Sequence, residues 1–111
     1  MIKDTRYRGK PRDFNRAATV LRALGHPARL EILFLLEKQE ADVTTIQRWI
    51  QVSQASTSNH LKTLFDAGLI SRRPQGTSAY YTVGQSLGKA LLPLLKDCKP
   101  IWQTQFPRQR L

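Results

Sequence analysis

The stretch over residues 44–68 constrains the fold most, because it reads as two short helices joined by a tight corner at residues 51–53. The first helix carries three apolar residues on one face: Ile46, Trp49 and Ile50. The second carries four residues on its predicted inner face: Thr57, Leu61, Leu64 and Phe65. Its opposite face holds small or hydrogen-bonding side chains and one cation, at the spacing of a single helical stripe. We call these residues the outer stripe: Gln54, Ala55, Ser58, Asn59 and Lys62. Such a stripe can approach a polyanion and contact the edges of bases.

The charge of the chain points to an anionic partner. Its 111 residues carry a formal net charge of +10, which DNA, RNA or an acidic membrane surface would balance. Residues 43–96 contain one acid, Asp66, and six bases: Arg48, Lys62, Arg72, Arg73, Lys89 and Lys96. The positive charge therefore coincides with the two-helix stretch and with the residues that follow it.

Length and apolar content predict one folded domain with a modest core. The longest apolar run, over residues 30–36, is too short to span a membrane, and the basic N-terminus has no apolar segment that would make it a signal peptide. A single cysteine, Cys98, excludes an intrachain disulfide and fits the cytoplasm. We therefore expect a cytoplasmic protein.

Before the two-helix stretch, the sequence predicts a basic arm and two helices. Residues 1–12 are polar and show no helical period, so they are expected to form a mobile arm. Asp13 is the expected N-cap of a first helix that ends at Gly25. Pro27 suits the first turn of a second helix, which is apolar nearly all round and is therefore expected at the centre of the domain. An acidic loop is expected over residues 37–42.

Capping residues set the expected ends of the two helices in the stretch. Thr44 and Gln47 have the spacing of a capping box for the first helix. Ser53 is the expected N-cap of the second helix, and Gly68 is expected to end it.

Two strand-like runs follow, over residues 69–73 and 78–83, with a turn expected over residues 74–77. Tyr80 and Tyr81 are expected to point to opposite faces of this hairpin. Two helices joined by a corner and followed directly by a hairpin form a winged helix-turn-helix.

A last helix is predicted over residues 85–102. Its apolar residues have a spacing close to that of a coiled-coil seam: Leu87, Leu91, Leu94, Cys98 and Ile101. Pro93 is expected to kink this helix. The chain is thus expected to be mainly α with a small β-hairpin, in the order α-α-α-α-β-β-α. The domain would cover residues 13–103 and be followed by a basic tail over residues 104–111.

Two segments resemble the ArsR/SmtB family of prokaryotic winged helix-turn-helix repressors. One is A-L-x-H-P-x-R-L-x-I-L over residues 23–33, and the other is S-Q-x-x-x-S-x-H-L-K-x-L-x-x-A-G-L-I over residues 53–70. The resemblance runs from residue 21 to residue 83. It implies a homodimer whose first and last helices form the interface, and whose two recognition helices read an inverted repeat in double-stranded DNA.

The residue chemistry and this resemblance together assign the expected sites. Bases would be read by four residues of the outer stripe: Gln54, Ala55, Ser58 and Asn59. Amide side chains such as those at 54 and 59 can bond adenine bidentately. The DNA backbone would be contacted by six residues: Arg48, Ser56, Lys62, Arg72, Arg73 and Gln75. The dimer interface would hold eight: Phe14, Ala17, Leu21, Leu87, Leu91, Leu94, Cys98 and Ile101.

The chain departs from the family at its usual sensing sites. The resemblance places cysteines of a metal-sensing motif where this chain has Asp42 and Thr44, and the last helix has no histidine. His26 and His60 are therefore expected to be structural, and no metal or cofactor is predicted. Cys98 is expected to pack as a small apolar residue or, if it faces its symmetry mate, to form an intersubunit disulfide. No effector ligand is indicated.

The predicted function is sequence-specific regulation of transcription, with a homodimeric repressor at an inverted-repeat operator as the leading interpretation. The alternatives are a winged-helix protein-interaction module and a non-specific nucleic-acid binder. An interaction module would show an apolar exposed recognition face, which the outer stripe does not provide. No nucleophile–base pair or carboxylate pair indicates catalytic residues, so the chain is not expected to be an enzyme. The expected location is the cytoplasm of a prokaryote, in association with the nucleoid.

Overall fold

The computed structural model describes residues 11–98, and the side chains of residues 14–98. In this part of the chain the elements follow one another as α1 Pro11–Leu24, α2 Pro27–Lys38, β1 Ala41–Asp42, α3 Val43–Ile50, α4 Gln54–Asp66, β2 Ile70–Gln75, β3 Ser78–Val83 and α5 Leu87–Lys96. The predicted helices and hairpin are all present in the predicted order. The expected α-α-α-α-β-β-α order lacked one element, the short strand β1.

Helix α2 lies at the centre of the domain, as its uniformly apolar sequence predicts. Ile32 and Leu33 are completely buried, and Leu36 is nearly so. The helix packs against α1, α3, α4 and β3. A helix with apolar side chains on every side can be buried in a small domain when neighbouring elements cover all of those sides.

The sheet has three antiparallel strands in the order β1-β3-β2. Strand β1 pairs Ala41 with Tyr81 and Asp42 with Tyr80, in a segment that the sequence predicted to be a loop. Two residues are too few to show an alternating pattern, and their partner lies about forty positions along the chain. This strand fixes the start of α3 against the hairpin.

The hairpin turn is tighter than the sequence predicted. Strand β2 extends to Gln75, which pairs with Ser78, so the turn consists of Gly76 and Thr77. Gly76 has a positive φ of 61°, which suits the two-residue turns that match the twist of a hairpin. The expected turn over residues 74–77 was therefore too long, because Pro74 is accommodated within an edge strand.

Two helix ends also differ from the expectation. Helix α1 already includes Pro11, the first residue described, so the predicted arm boundary at residue 12 falls inside the helix. Helix α5 ends at Lys96 rather than near residue 102. The chain leaves the helix through a tightened turn, in which the N–H groups of Asp97 and Cys98 donate to the carbonyls three residues earlier, those of Leu94 and Leu95.

Gly84 and Gly88, for which no role was predicted, lie where backbone segments approach each other closely. The Gly84 N–H donates to the Leu69 carbonyl at 2.9 Å. A Cβ added at Gly88 would overlap that same Leu69 carbonyl and lie 2.8 Å from Val83 Cγ1. The start of α5 is therefore docked on the backbone that leaves α4.

Gly88→Ala is expected to lower the free energy of unfolding although it improves helix propensity. Alanine favours a helix interior by about 1 kcal/mol over glycine. Overpacking against backbone costs about 1–3 kcal/mol, so the overlap should dominate. Gly25→Ala is the matched control, because its added Cβ would lie 3.4 Å from the nearest atom, the Leu21 carbonyl oxygen. Urea denaturation of both variants measures the difference, and equal stabilities would contradict the close approach of α5.

Candidate nucleic-acid interface

The corner between α3 and α4 has the geometry that the sequence predicts. Gln51 adopts the left-handed conformation, with φ 58° and ψ 49°, and its N–H donates to the Gln47 carbonyl at 2.8 Å. Ser53 is confirmed as the N-cap of α4, because its Oγ accepts from the Ser56 N–H at 3.0 Å. The first turn of α4 is thereby fixed relative to α3.

The N-cap of α3 is Asp42, and the predicted capping box at Thr44 and Gln47 was wrong. Asp42 Oδ1 accepts from the Thr45 N–H at 3.0 Å. This backbone hydrogen bond is the main reason why the pKa of Asp42 lies below its ordinary value. Asp42 is the N-cap because strand β1 ends there, so the helix begins two residues earlier than the capping box at Thr44 required.

The inner face of α4 is buried as predicted at three of four positions. Thr57 and Leu64 are completely buried and Leu61 is nearly so. The Thr57 hydroxyl donates to the Ser53 carbonyl at 2.9 Å, which satisfies it inside the core. Phe65 was wrongly placed on this face, since 46% of its surface is exposed. It lies about 100° around the helix from Leu64 and so falls at the edge of the buried arc.

The outer stripe is exposed along its whole length. All five of its residues are classed as exposed: Gln54, Ala55, Ser58, Asn59 and Lys62. Because the opposite side of α4 is anchored in the core, this face is presented to solvent in a fixed orientation. The structure thus brings the four predicted base-reading residues together on one surface.

Gly68 ends α4 as predicted. It has a φ of 80° and donates to the Phe65 carbonyl at 2.9 Å, while the Leu69 N–H donates to the Leu64 carbonyl at 3.0 Å. These two bonds form a Schellman motif. The chain then enters β2 at Ile70, so the recognition helix and the wing are joined by a short rigid connection.

The two wing arginines lie on opposite faces of β2. Arg72 pairs with Tyr81 and Arg73 with Tyr80, and Tyr81 packs against the core. The Arg73 guanidinium donates to both oxygens of Glu40, at 3.0 and 2.8 Å, and lies 5.2 Å from the centre of the Tyr80 ring. The hydrogen bonds between Arg73 and Glu40 raise the pKa of Arg73 and lower the pKa of Glu40.

Arg73 therefore holds the wing against the segment that precedes β1, and it also donates to Gln75 Oε1. The sequence expected both residues at the DNA backbone, which stays a prediction; in the single chain Arg73 bonds Glu40, and Gln75 accepts from Arg73. Arg72 is exposed on the other face, and no described carboxylate pairs with it. Glu40 was missed because it lies 33 residues from its partner.

Lys62 is paired with Asp66, one turn along α4, at 2.8 Å. The hydrogen bond to Asp66 raises the pKa of Lys62, so its ammonium group stays charged. Exposed pairs of this kind are weak. A phosphate can therefore replace Asp66 as the partner of Lys62.

Arg29 is a second residue that sequence reasoning missed. Its Nε donates to His60 Nδ1 on α4 at 3.2 Å, and its Nη1 donates to the Arg22 and Ala23 carbonyls at 3.2 and 3.3 Å. The sequence signal that could have revealed it is a cation near the start of the mostly apolar helix α2, because a partly buried cation needs a partner. His26 caps α2 by accepting from the Ala28 N–H at 3.1 Å, so both histidines have the structural contacts expected of them.

The residues expected at a dimer interface leave apolar surface on the single chain. Phe14, Leu21 and Leu94 are 56%, 67% and 64% exposed. Ala17 is also exposed, and Leu87 and Leu91 are half-buried. Cys98 is exposed beyond the end of α5 rather than within a helical seam. Ile101 lies outside the described residues.

The described residues form neither a metal-binding cluster nor a membrane-spanning helix. No group of three or more His, Cys, Asp or Glu side chains there is close enough to hold a metal ion. None of the helices described is both long enough and apolar enough to cross a membrane.

Comparison with known proteins identifies the family. Residues 26–72 match the family model described as bacterial regulatory protein, arsR family. The transcriptional activator HlyU of Vibrio cholerae is 31% identical over 80 residues, which cover 72% of this chain and 74% of that protein. The arsenical resistance operon repressor of Bacillus subtilis is 35% identical over 72 residues, covering 64% of this chain and 69% of that one. The chain belongs to the ArsR family.

Solved structures of relatives agree with this assignment. A homodimeric winged helix-turn-helix DNA-binding domain from Mycobacterium bovis superimposes with a TM-score of 0.75 at 27% identity, over 90% of this chain and 89% of that chain. HlyU from Vibrio cholerae superimposes with a TM-score of 0.70 at 28% identity, over 79% of this chain and 96% of that chain. The winged-helix fold and the class of function, a DNA-binding regulator of transcription, are as the sequence predicted for this ArsR-family chain.

The correction at the start of α3 can be tested by paired substitutions. Asp42→Ala is expected to lower the melting temperature because it removes the acceptor for the Thr45 N–H. Thr44→Ala should leave the melting temperature almost unchanged, because Thr44 is exposed and does not cap the helix. Asp42→Asn is the control, since asparagine caps helices as well as aspartate does. Thermal melts that showed the larger loss for Thr44→Ala would contradict the assignment.

Proposed function

We propose that this ArsR-family protein is a homodimeric transcriptional repressor that binds an inverted-repeat operator with the outer stripe of α4. The observation that carries the proposal is the division of α4 into a buried face and a fully exposed polar face. Thr57, Leu61 and Leu64 hold the helix in the core, which orients the stripe outward. A helix of this width fits the major groove, where each base pair presents its own pattern of donors and acceptors.

Four side chains of the stripe are assigned to the bases: Gln54, Ala55, Ser58 and Asn59. The amides of Gln54 and Asn59 can each pair with the N6 and N7 edge of adenine. Ser58 can bond a base or a phosphate, and the Ala55 methyl suits contact with a thymine methyl. Because these groups are polar or small, the face does not suit an apolar protein partner, which disfavours the interaction-module alternative.

The DNA-backbone contacts are assigned to residues on three elements, α3, α4 and β2. Arg48 and Ser56 lie near the corner, Lys62 lies farther along α4, and Arg72 lies on the wing. Phosphate contacts of this kind set register and orientation without reading sequence. Arg73 and Gln75 are also assigned to the backbone, on a wing that their contacts with Glu40 and with each other hold in place.

Dimerisation through α1 and α5 accounts for the exposed apolar side chains at both ends of the chain. Phe14, Leu21 and Leu94 would become buried at an interface between two copies. Homodimers occur among the solved relatives, including the Mycobacterium bovis domain. Two copies related by a two-fold axis would place their recognition helices roughly 34–36 Å apart, in successive major grooves.

Repression would follow from an operator that overlaps a promoter, because the bound dimer would exclude RNA polymerase. Among the relatives, the Bacillus subtilis protein is named as a repressor and the Vibrio cholerae protein as an activator. The domain that performs this task is proposed to cover residues 13–103, extended at its start to Pro11 by α1. Binding to chromosomal DNA would place the protein at the nucleoid in the cytoplasm.

Asn59→Ala is expected to weaken binding to the operator by about 1–3 kcal/mol and to leave binding to random duplex nearly unchanged. The operator is first obtained by selecting bound fragments from genomic DNA. Affinities for the selected duplex, a random duplex and an RNA are then compared at physiological salt. Asn15→Ala, an exposed asparagine on α1, is the matched control and should bind as the unmodified protein does.

A parallel Arg72→Ala variant separates reading from positioning. It should weaken binding to selected and random duplex alike and reduce the salt slope by about one unit, since one phosphate contact is lost. Equal losses on both duplexes for Asn59→Ala would refute its role as a base reader. Equal affinity of the unmodified protein for selected and random duplex would favour the non-specific binder.

A further inference from the structure

One guanidinium connects the end of α1 with the middle of the recognition helix. Arg29 donates from Nη1 to the carbonyls of Arg22 and Ala23 in the last turn of α1, and from Nε to His60 Nδ1 on α4. His60 directly follows Asn59, one of the proposed base readers, but turns inward and is half-buried. This Arg29–His60 joint therefore couples two helices that lie far apart in sequence.

The position of this joint matters for a dimer that reads two half-sites. In the proposed dimer, α1 belongs to the interface and α4 to the reader, so the angle between them sets the spacing of the two readers. Contacts made only in the DNA-competent arrangement raise affinity without touching DNA, because they reduce the ordering required on binding. This step rests on the proposed function.

We propose that Arg29 and His60 are positioning residues for DNA recognition, and that their joint is closed while His60 is neutral and opens when His60 takes up a proton. In the closed joint His60 Nδ1 accepts a hydrogen bond, so the ring proton must reside on Nε2. A proton from solvent added at Nδ1 converts this acceptor into a donor. It also places a second positive charge beside Arg29, and the bond is lost.

The surroundings of His60 favour its neutral form. The charged and titratable groups that act on it come from α2: Arg29, and His26, whose ring centroid lies 4.5 Å away. From α1 it faces the segment whose carbonyls already bond Arg29, and on α4 the carboxylate of Asp66 is taken by Lys62. Burial, and then the charges of His26 and Arg29, lower the pKa of His60 below its ordinary value.

The direction of the pH effect on stability follows from this lowered pKa. The unfolded chain binds a proton at His60 more readily than the folded chain does, so the joint stabilises the fold fully above the ordinary imidazole pKa of about 6.5. That contribution is lost as the pH falls through the lower pKa of the folded state. The joint is therefore expected to open in mildly acidic solution.

The small number of histidines in the chain makes the effect of pH on DNA binding easy to interpret. His26 and His60 are the two histidines of the whole sequence, so changes in binding between about pH 7.5 and pH 5.5 report chiefly on this cluster. Added positive charge ordinarily strengthens binding to DNA, because it adds attraction to phosphates. Opening of the Arg29–His60 joint is expected to have the opposite effect on DNA affinity, so the complex should be weaker in acid.

The experiment measures affinity for the selected duplex between pH 7.5 and pH 5.5 at constant salt, with circular dichroism to check the fold at each pH. The unmodified protein is expected to lose several-fold in affinity in acid, because the complex needs the closed joint and therefore binds a proton at His60 less readily than the free protein does. His60→Gln keeps an acceptor but no titrating ring. It should bind several-fold more weakly at pH 7.5 and show no further loss at pH 5.5.

His26→Asn is the matched control, because asparagine can still cap α2 while one ring and its charge are removed. It should keep the loss in acid, with the midpoint moved to higher pH. Unchanged or increased affinity of the unmodified protein in acid would overturn the proposal, as would an equal acid loss in His60→Gln.

Nuclear magnetic resonance of the free protein tests the joint separately from the proposed function. The His60 ring should titrate below the ordinary imidazole range, and the Arg29 Nε–H signal should disappear from its hydrogen-bonded position at the same midpoint. A His60 ring that titrates without affecting Arg29 would refute the joint. If this coupling is seen but no duplex is bound selectively at any pH, the proposed function fails and the positioning role fails with it.

Discussion

The structure depends on the burial of one face of α4 against α2. Thr57, Leu61 and Leu64 meet a central helix whose Ile32 and Leu33 are completely enclosed. A helix anchored in this way cannot rotate without exposing the apolar side chains of Leu61 and Leu64, which is costly. The orientation of Asn59 and its neighbours on the outer stripe is therefore set by the core.

The connections from α4 carry this fixed orientation to the rest of the domain. The Schellman motif at Gly68 leads directly into the wing, and the Leu69 carbonyl receives the start of α5 through Gly84. At its middle, α4 is bonded through His60 to Arg29 of α2, which in turn bonds the carbonyls at the end of α1. The reading surface, the wing and both proposed dimer helices are thus tied to one element, so a change at any of them can alter the presentation of the stripe.

Local patterns in the sequence predicted much of this arrangement. The cap at Ser53, the stop at Gly68, the central position of α2 and the exposure of the outer stripe follow from periodicity and capping, which act over a few residues. What could not be predicted depends on partners distant in the chain. Strand β1 exists because β3 lies beside it, and Arg73 is engaged by Glu40, 33 residues away. Arg29 and His60 are 31 residues apart.

The central claim is that two copies of α4 occupy successive major grooves of one duplex. Missing-base interference on the selected operator tests it directly, because each base is removed in turn and its contribution to binding is measured. The account predicts two clusters of essential bases related by a two-fold axis, with centres about 10–10.5 base pairs apart. A single cluster, or an even dependence along the duplex with no cluster, would contradict it.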